Sequence, residues 1–325
     1  MLVDMHNHLL PPGALAMLDE LGLLARSVAG SLSILSGKGP GTALATDLMD
    51  VDLQRKHLDN SGFTHASIMV PPFATLYNLP PAVTLRYAQA FNDSASRVCA
   101  SDPRFFGLAT VPLQDPVGAA AEARRAVLGL GHKGVGIISR AGDLELSAPE
   151  MDPFFDEVQN LGIPVFIHPD VQSPVGSERM RTHHLRNLVG NPSETAFVAA
   201  SLVFSGVLDR FPGITFVLSH GGGTFPYIVG RLEHGYQVRP ECRVQHASPY
   251  EYLRRFYYDS VVFEPAAMRY LVGIVGADRV VAGTDWPFDM ADPDPNIIVG
   301  RAGLNTSVSA QILGGTAAEL LGLKD

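Results

Sequence analysis

The sequence predicts an α/β fold, a (β/α)8 barrel closed by eight parallel strands, and three observations carry that expectation. Short apolar, β-branched runs recur along the 325 residues at 2–8, 65–70, 106–111, 134–139, 165–168, 215–220, 257–262 and 280–283. Longer helical patterns separate most of them, which is the signature of a parallel sheet. The runs are apolar almost throughout, as strands covered on both faces are. An open doubly wound sheet is the competing arrangement. It calls for a glycine-rich phosphate turn after the first strand, and His6-Asn7-His8 with Pro11-Pro12 offers none.

In chain order, the first run ends in His6 and His8. Residues 13–60 then interrupt the first repeat. They are rich in Gly and Ser around 27–41 and turn helical over 46–60, with Thr46 or Asp47 as the cap. This stretch reads as a lid-like insertion over the barrel mouth, within a single domain spanning 1–325. Helices are expected over 81–100, 116–129, 151–161, 192–210, 225–237 and 265–275, with a closing helix over 307–321. Residues 171–191 form a second long, polar loop.

Composition narrows the function classes. The net charge is -9, and no basic run or aromatic RNA-binding motif is present, which argues against a nucleic-acid partner. No stretch is long and apolar enough for a membrane span. Asp4 and His6 fall beside the first apolar residues, unlike a signal peptide. Cys99 and Cys242 make no disulfide framework and are expected as free thiols in a cytoplasmic protein.

The chemistry-bearing residues cluster at strand ends. Side chains at i and i+2 of a strand point the same way, so His6 and His8 leave strand one in parallel. Strand five ends Ile167-His168-Pro169, strand six Ser219-His220-Gly221-Gly222-Gly223, and strand eight Gly283-Thr284-Asp285-Trp286-Pro287. A parallel barrel points all these ends at one face. Four histidines and a carboxylate there are hard to satisfy without a cation. His6, His8, His168 and Asp285 make a mixed N/O shell suited to zinc, and His220 is left to move protons. Trp286 and Phe288 are candidate apolar walls of a substrate pocket, and the Gly221–Gly223 run allows close backbone approach.

The motifs D-x-H-x-H, I-H-P, S-H-G-G-G-x-F-P-x-x-x-G-R-L-x-H and G-T-D-W-P-F run nearly the length of the chain. Together they resemble the amidohydrolase-2 branch of the metal-dependent hydrolases. Within it the likeness is to the aminocarboxymuconate-semialdehyde decarboxylases and their aromatic-acid relatives. The resemblance implies His6, His8, His168 and Asp285 as metal ligands, with Zn2+ or Mn2+ bound and no organic cofactor. It implies catalytic roles for His220 and Asp285. It also implies that Arg231 binds a substrate carboxylate, offered across a homodimer interface. Binuclear relatives carry a lysine at the end of strand four. Here that strand runs Val135-Gly136-Ile137-Ile138-Ser139, which favours a mononuclear site.

Two departures bear on the substrate. The relatives' insertion carries an arginine for a second carboxylate, whereas Lys38 and Arg26 are the nearest cations here. Arg181-Thr182-His183-His184 falls where a tryptophan is usual, so His183 becomes a candidate substrate contact, with Arg179 and His184 nearby. The expectation is a zinc-dependent, non-oxidative decarboxylase of a small aromatic or unsaturated carboxylic acid, assisted by His220 and a metal-bound water. The alternatives are a metal-dependent hydrolase or hydratase acting on a lactone, amide or ring-cleavage product, and a metal-binding protein with a dead site. Arg231 also has a plain reading, a surface ion pair with Glu233 or Glu241.

Overall fold

A computed structural model describes residues 1–28, 30–35, 41–292 and 294–323. Eight parallel strands form one sheet, in chain order: β1 Val3–Asp4, β2 His65–Ile68, β3 Phe105–Ala109, β4 Gly134–Ile138, β5 Pro164–His168, β6 Thr215–Leu218, β7 Phe256–Asp259 and β8 Val280–Val281. Regular pairing links each strand to the next. Closure from β8 back to β1 runs through irregular backbone. Met5 N donates to Ala282 O (2.9 Å), Asp285 N to His6 O (2.7 Å) and His8 N to Trp286 O (2.8 Å).

The interior follows the period-two rule. Phe166 pairs in register with Gly136 on β4 and Val217 on β6, and Val217 with Tyr257 on β7. Val3, Met5, Met69, Phe106, Leu108, Phe166, Val217 and Val281 fill the barrel, joined by Ala317 and Leu321 from the closing helix Thr316–Leu321. Gly136 is needed here: a Cβ at that position would come within 2.6 Å of Met69 Cγ. Outside the sheet lie α1 Pro12–Glu20, α2 Val51–Ser61, α3 Pro81–Ser101, α4 Pro116–Arg124, α5 Asp152–Leu161, α6 Asn191–Phe204, α7 Phe225–Val238 and α8 Pro265–Val275.

Several boundaries differ from the sequence expectation. Asp50, not Thr46 or Asp47, caps α2. Its Oδ1 accepts from Asp52 N (2.8 Å) and Leu53 N (3.2 Å), two amides that the first turn leaves free. The expected helix over 192–210 breaks at Gly206 (φ 72°) into α6 and the short Val207–Arg210 helix. The insertion holds α1, a three-stranded antiparallel sheet (Leu24–Arg26, Leu32–Ile34, Thr42–Ala43) and α2. Arg26 lies exposed on that sheet, 4.0 Å from Asp19, and Lys38 lies outside the described residues. Both cysteines are free thiols. Among the described residues no helix is long and apolar enough to cross a membrane.

Candidate metal centre

The barrel's period-two alternation carries directly into the site. His168 lies two residues beyond Phe166 on β5, and Asp259 two beyond Tyr257 on β7. Gly283 and Asp285 continue the inward series from Val281. Gly283 makes room for β1, because a Cβ there would lie 2.7 Å from His6 Cβ. His6 and His8 sit just past the regular part of β1 and still converge, with ring centroids 5.1 Å apart. His220 and Asp285 reach the centre from turns with positive φ, 54° and 61°. Non-glycine residues held there cost about 1–3 kcal/mol each and concentrate at functional sites.

Around Asp285 the imidazoles close in from every side. Asp285 Oδ1 lies 3.1 Å from His6 Nε2, 3.1 Å from His8 Nε2 and 4.0 Å from His168 Nε2, while Oδ2 lies 3.4 Å from His220 Nε2. One ligand atom each from His6, His168, His220 and Asp285 all fall within 4.8 Å of one another. The ring of Phe166 lies under His6 at 4.8 Å and makes the floor apolar.

Three of the four histidines share a tether that the fourth lacks. His6 Nδ1 bonds Asp259 Oδ2 (2.6 Å), His8 Nδ1 bonds Val70 O (3.1 Å), and His168 Nδ1 bonds Pro169 O (3.0 Å). An acceptor at Nδ1 fixes the proton there and leaves Nε2 with its lone pair toward the centre, the usual arrangement of metal-bound histidine. His168 Nε2 is buried with no hydrogen-bond partner, so it has a lone pair to give. His220 differs. Its Nδ1 has no partner among the described residues, and its side chain is 14% exposed against 0–4% for the other three.

The electrostatics call for positive charge. Burial holds the imidazoles of His8 and His168 below their ordinary range. Burial also opposes a charge on His6, but the Asp285 carboxylate and the Asp259 hydrogen bond outweigh it and lift His6 to about 10. Burial likewise disfavours ionised Asp285, yet the charge on His6 and the histidine hydrogen bonds hold that carboxyl well below its usual range. A divalent cation answers the same demand as the proton on His6, and the neutral, outward-tethered rings fit one.

Sequence reasoning missed Asp259, reading through it as part of an apolar run. Its Oδ2 orients His6, while its Oδ1 accepts from Gly221 N (2.8 Å) and Val261 N (3.1 Å), so it also fixes the turn that carries His220. Asp4 has a parallel role. It accepts from Thr284 Oγ1 (2.6 Å), Thr284 N (3.0 Å) and His6 N (3.0 Å), and burial lifts its carboxyl to about 7 against those bonds. The Asp259→Asn variant would set an amide N–H against the His6 ring N–H or lose the Gly221 contact. Metal affinity is expected to fall about 10–100-fold, read by competition with a chromogenic chelator; unchanged affinity would remove Asp259 from the account.

Two adjoining cavities reach Asp285. One of 310 Å3 touches His220, Val262, Phe263 and Asn191; one of 240 Å3 touches His168, Phe73, Phe288, Ala43 and Asn191. Phe288 is thus a wall, its ring 5.1 Å from His8. Trp286 is not brought to either cavity. Beyond the positive-φ turn at Asp285 it bridges to Asn7 and stacks on His57 at 4.1 Å with parallel rings. His183 lines a 520 Å3 outer cavity with Arg181 and His184, which does not touch Asp285. Ile138 stands in register with His168, where a bridging lysine would be needed. Arg231 is exposed on α7 and its guanidinium makes no bond with any described residue. Glu241 pairs with Arg239 and Glu233 accepts from Gln237, so neither takes it.

The chain is similar to known proteins over nearly its whole length. Across 99% of this chain and 91% of its own length, the 2-amino-3-carboxymuconate-6-semialdehyde decarboxylase of Dictyostelium discoideum is 33% identical. The solved 5-carboxyvanillate decarboxylase of Sphingomonas paucimobilis superposes with a TM-score of 0.85 at 25% identity, covering 99% of both chains. A dihydroxybenzoic acid decarboxylase from Polaromonas, solved with bound manganese, shares the fold with a TM-score of 0.80 at 23% identity, over 99% of this chain and 97% of that one. The model for the family described as amidohydrolase matches residues 3–323, and the chain belongs to that family.

Proposed function

We propose that the protein is a metal-dependent, non-oxidative decarboxylase of a small aromatic or unsaturated carboxylic acid. In this reading His6, His8, His168 and Asp285 hold the metal, zinc or manganese, and His220 is the proton carrier. The observation that carries it is the difference in tethering: all four histidines turn Nε2 toward Asp285, but only His6, His8 and His168 have Nδ1 held by an acceptor, while His220 meets the 310 Å3 cavity with no described partner at Nδ1. The resemblance to relatives named as decarboxylases supports the reaction class.

When bound, the metal supplies a Lewis acid that polarises an oxygen of the acid. The rest falls to the chain. The electron pair of the broken C–C bond ends in a new C–H bond, so the site must bring one proton to carbon. His220 Nε2, 3.4 Å from Asp285 Oδ2, holds that proton between the carboxylate and the 310 Å3 cavity. Phe73, Phe288, Val262 and Phe263 make apolar walls for a flat substrate and keep water from the reacting carbon. Thr42 and Ala43 of the insertion edge the 240 Å3 cavity, in keeping with a lid-like role for residues 13–60.

The homodimer belongs to the same reading. Tyr227, Tyr250 and Tyr270 are exposed around Arg231 and its helix, and Tyr227 lies 6.4 Å from Tyr270 ring to ring. Exposed Phe263 continues this face to the mouth of the His220 cavity. A second copy seated there would bring Arg231 toward its neighbour's substrate. Metal-loaded enzyme should release CO2 from aromatic or unsaturated acids and leave lactones and amides intact; hydrolysis without CO2 would overturn the reaction class. Sedimentation should show a dimer, and Arg231→Lys should raise KM for the carboxylate at unchanged metal content, since an ammonium lacks the guanidinium fork. A fully active monomer would overturn the cross-subunit role of Arg231.

A further inference from the structure

Asn191 is 4% exposed, and its Oδ1 is buried without a hydrogen-bond partner among the described residues. A buried amide left unpaired costs about 1–3 kcal/mol, so such a group calls for an explanation. The residue lines both cavities that reach Asp285 and the outer 520 Å3 cavity as well. Its place is rigidly set. It opens α6, and the next residue, Pro192, accepts from Thr224 N (3.2 Å) through its carbonyl. A Cβ on Gly223 would come 2.0 Å from that carbonyl, so α6 seats directly on the glycine turn that carries His220. The amide is thereby held on the wall of the cavities beside the reacting centre.

Charge narrows what it reads. Among the described residues, neither cavity that touches Asp285 is lined by a lysine or an arginine. A substrate carboxylate entering from this chain's own side therefore finds its positive partner at the centre. The rest of the substrate meets apolar walls and the neutral amides of Asn187 and Asn191, with Thr42, His184 and the Asp289 carboxylate on the 240 Å3 side, and that carboxylate also disfavours a second anionic group. An amide both donates and accepts, and it suits a neutral hydroxyl rather than a second carboxylate.

We infer that Asn191 is the specificity residue for a neutral hydrogen-bonding substituent, of the phenolic hydroxyl class, on a monocarboxylic acid bound at the centre. This inference rests on the decarboxylase reading for its catalytic consequence, but substrate binding tests it separately. Calorimetry on metal-loaded protein with 2,6-dihydroxybenzoate and with benzoate gives the preference for the hydroxylated acid. That preference should fall about tenfold or more in Asn191→Leu, as expected for one lost hydrogen bond of roughly 1.4 kcal/mol. Metal content should stay constant, and Asn191→Ala serves if the leucine variant does not fold, since it removes the amide donor and acceptor without adding a charge. The kcat/KM for CO2 release from 2,6-dihydroxybenzoate should fall by a similar factor in the same variant. A wild type that binds with the preference but releases no CO2 would sink the decarboxylase reading and leave Asn191 in its role. Equal losses for both acids, or no preference in the wild type, would overturn the role of Asn191 while CO2 release could still stand.

Discussion

His220→Asn is expected to keep its metal and lose about 10²–10⁴-fold in kcat, the contribution typical of a positioned proton-transfer group. Asparagine preserves a polar side chain near Asp285 Oδ2 but cannot cycle a proton. The variant separates two roles that distance alone leaves together, because His220 at 3.4 Å from Asp285 falls between His6 and His8 at 3.1 Å and His168 at 4.0 Å. A variant that loses its metal instead would place His220 among the ligands. The reason to expect retention is local: nothing holds His220 Nδ1, whereas Asp259, Val70 and Pro169 hold the Nδ1 atoms of His6, His8 and His168.

Chelation of the metal should destabilise the fold substantially. A ligand bound only by the native state stabilises it by about 2.7 kcal/mol at a hundredfold excess over Kd and about 4.1 kcal/mol at a thousandfold. For a chain of this size that corresponds to roughly 4–6 °C in Tm. The loss follows from the position of the centre: the proposed ligands come from the segment just after β1, from β5 and from the turn after β8, so a metal held by them would tie together the place where the barrel closes through irregular backbone. Scanning calorimetry with and without chelator measures it. Asp285→Ala should show a low Tm that chelator no longer moves, whereas an unchanged wild-type Tm would mean that the folded chain holds no metal with useful affinity.

The barrel was legible because its strands are continuous apolar runs and each ends in a turn residue. What blurred the reading lies at both edges of closure. β1 and β8 are only two residues long in regular pairing, because Gly283 lets His6 crowd against the neighbouring strand and the backbone leaves the ladder. His6, His8, His168, His220 and Asp285 could all be found as ligand-type residues at run ends. Asp259 could not by that rule, since it looked like one polar residue inside a run; its spacing of two from Tyr257, on the inward face, was the usable signal. Trp286 looked like a pocket wall by adjacency to Asp285, yet the backbone turns at Asp285 (φ 61°), Trp286 bridges to Asn7 and its ring stacks on His57 instead. Asn191 carried no sequence signal at all. Its meaning comes from burial without a partner and from packing against Gly223, both of which exist only in the folded chain.

The central claim is the assignment of ligands, and metal-to-protein ratios across single alanine variants test it most directly. Purified wild type, His6→Ala, His8→Ala, His168→Ala, Asp285→Ala and His220→Ala would be dialysed against a fixed low concentration of free zinc or manganese and analysed for bound metal. The account predicts near-stoichiometric metal in the wild type and in His220→Ala, with a sharp fall in the other four. Full occupancy in His168→Ala, or loss in His220→Ala with retention in His8→Ala, would contradict it.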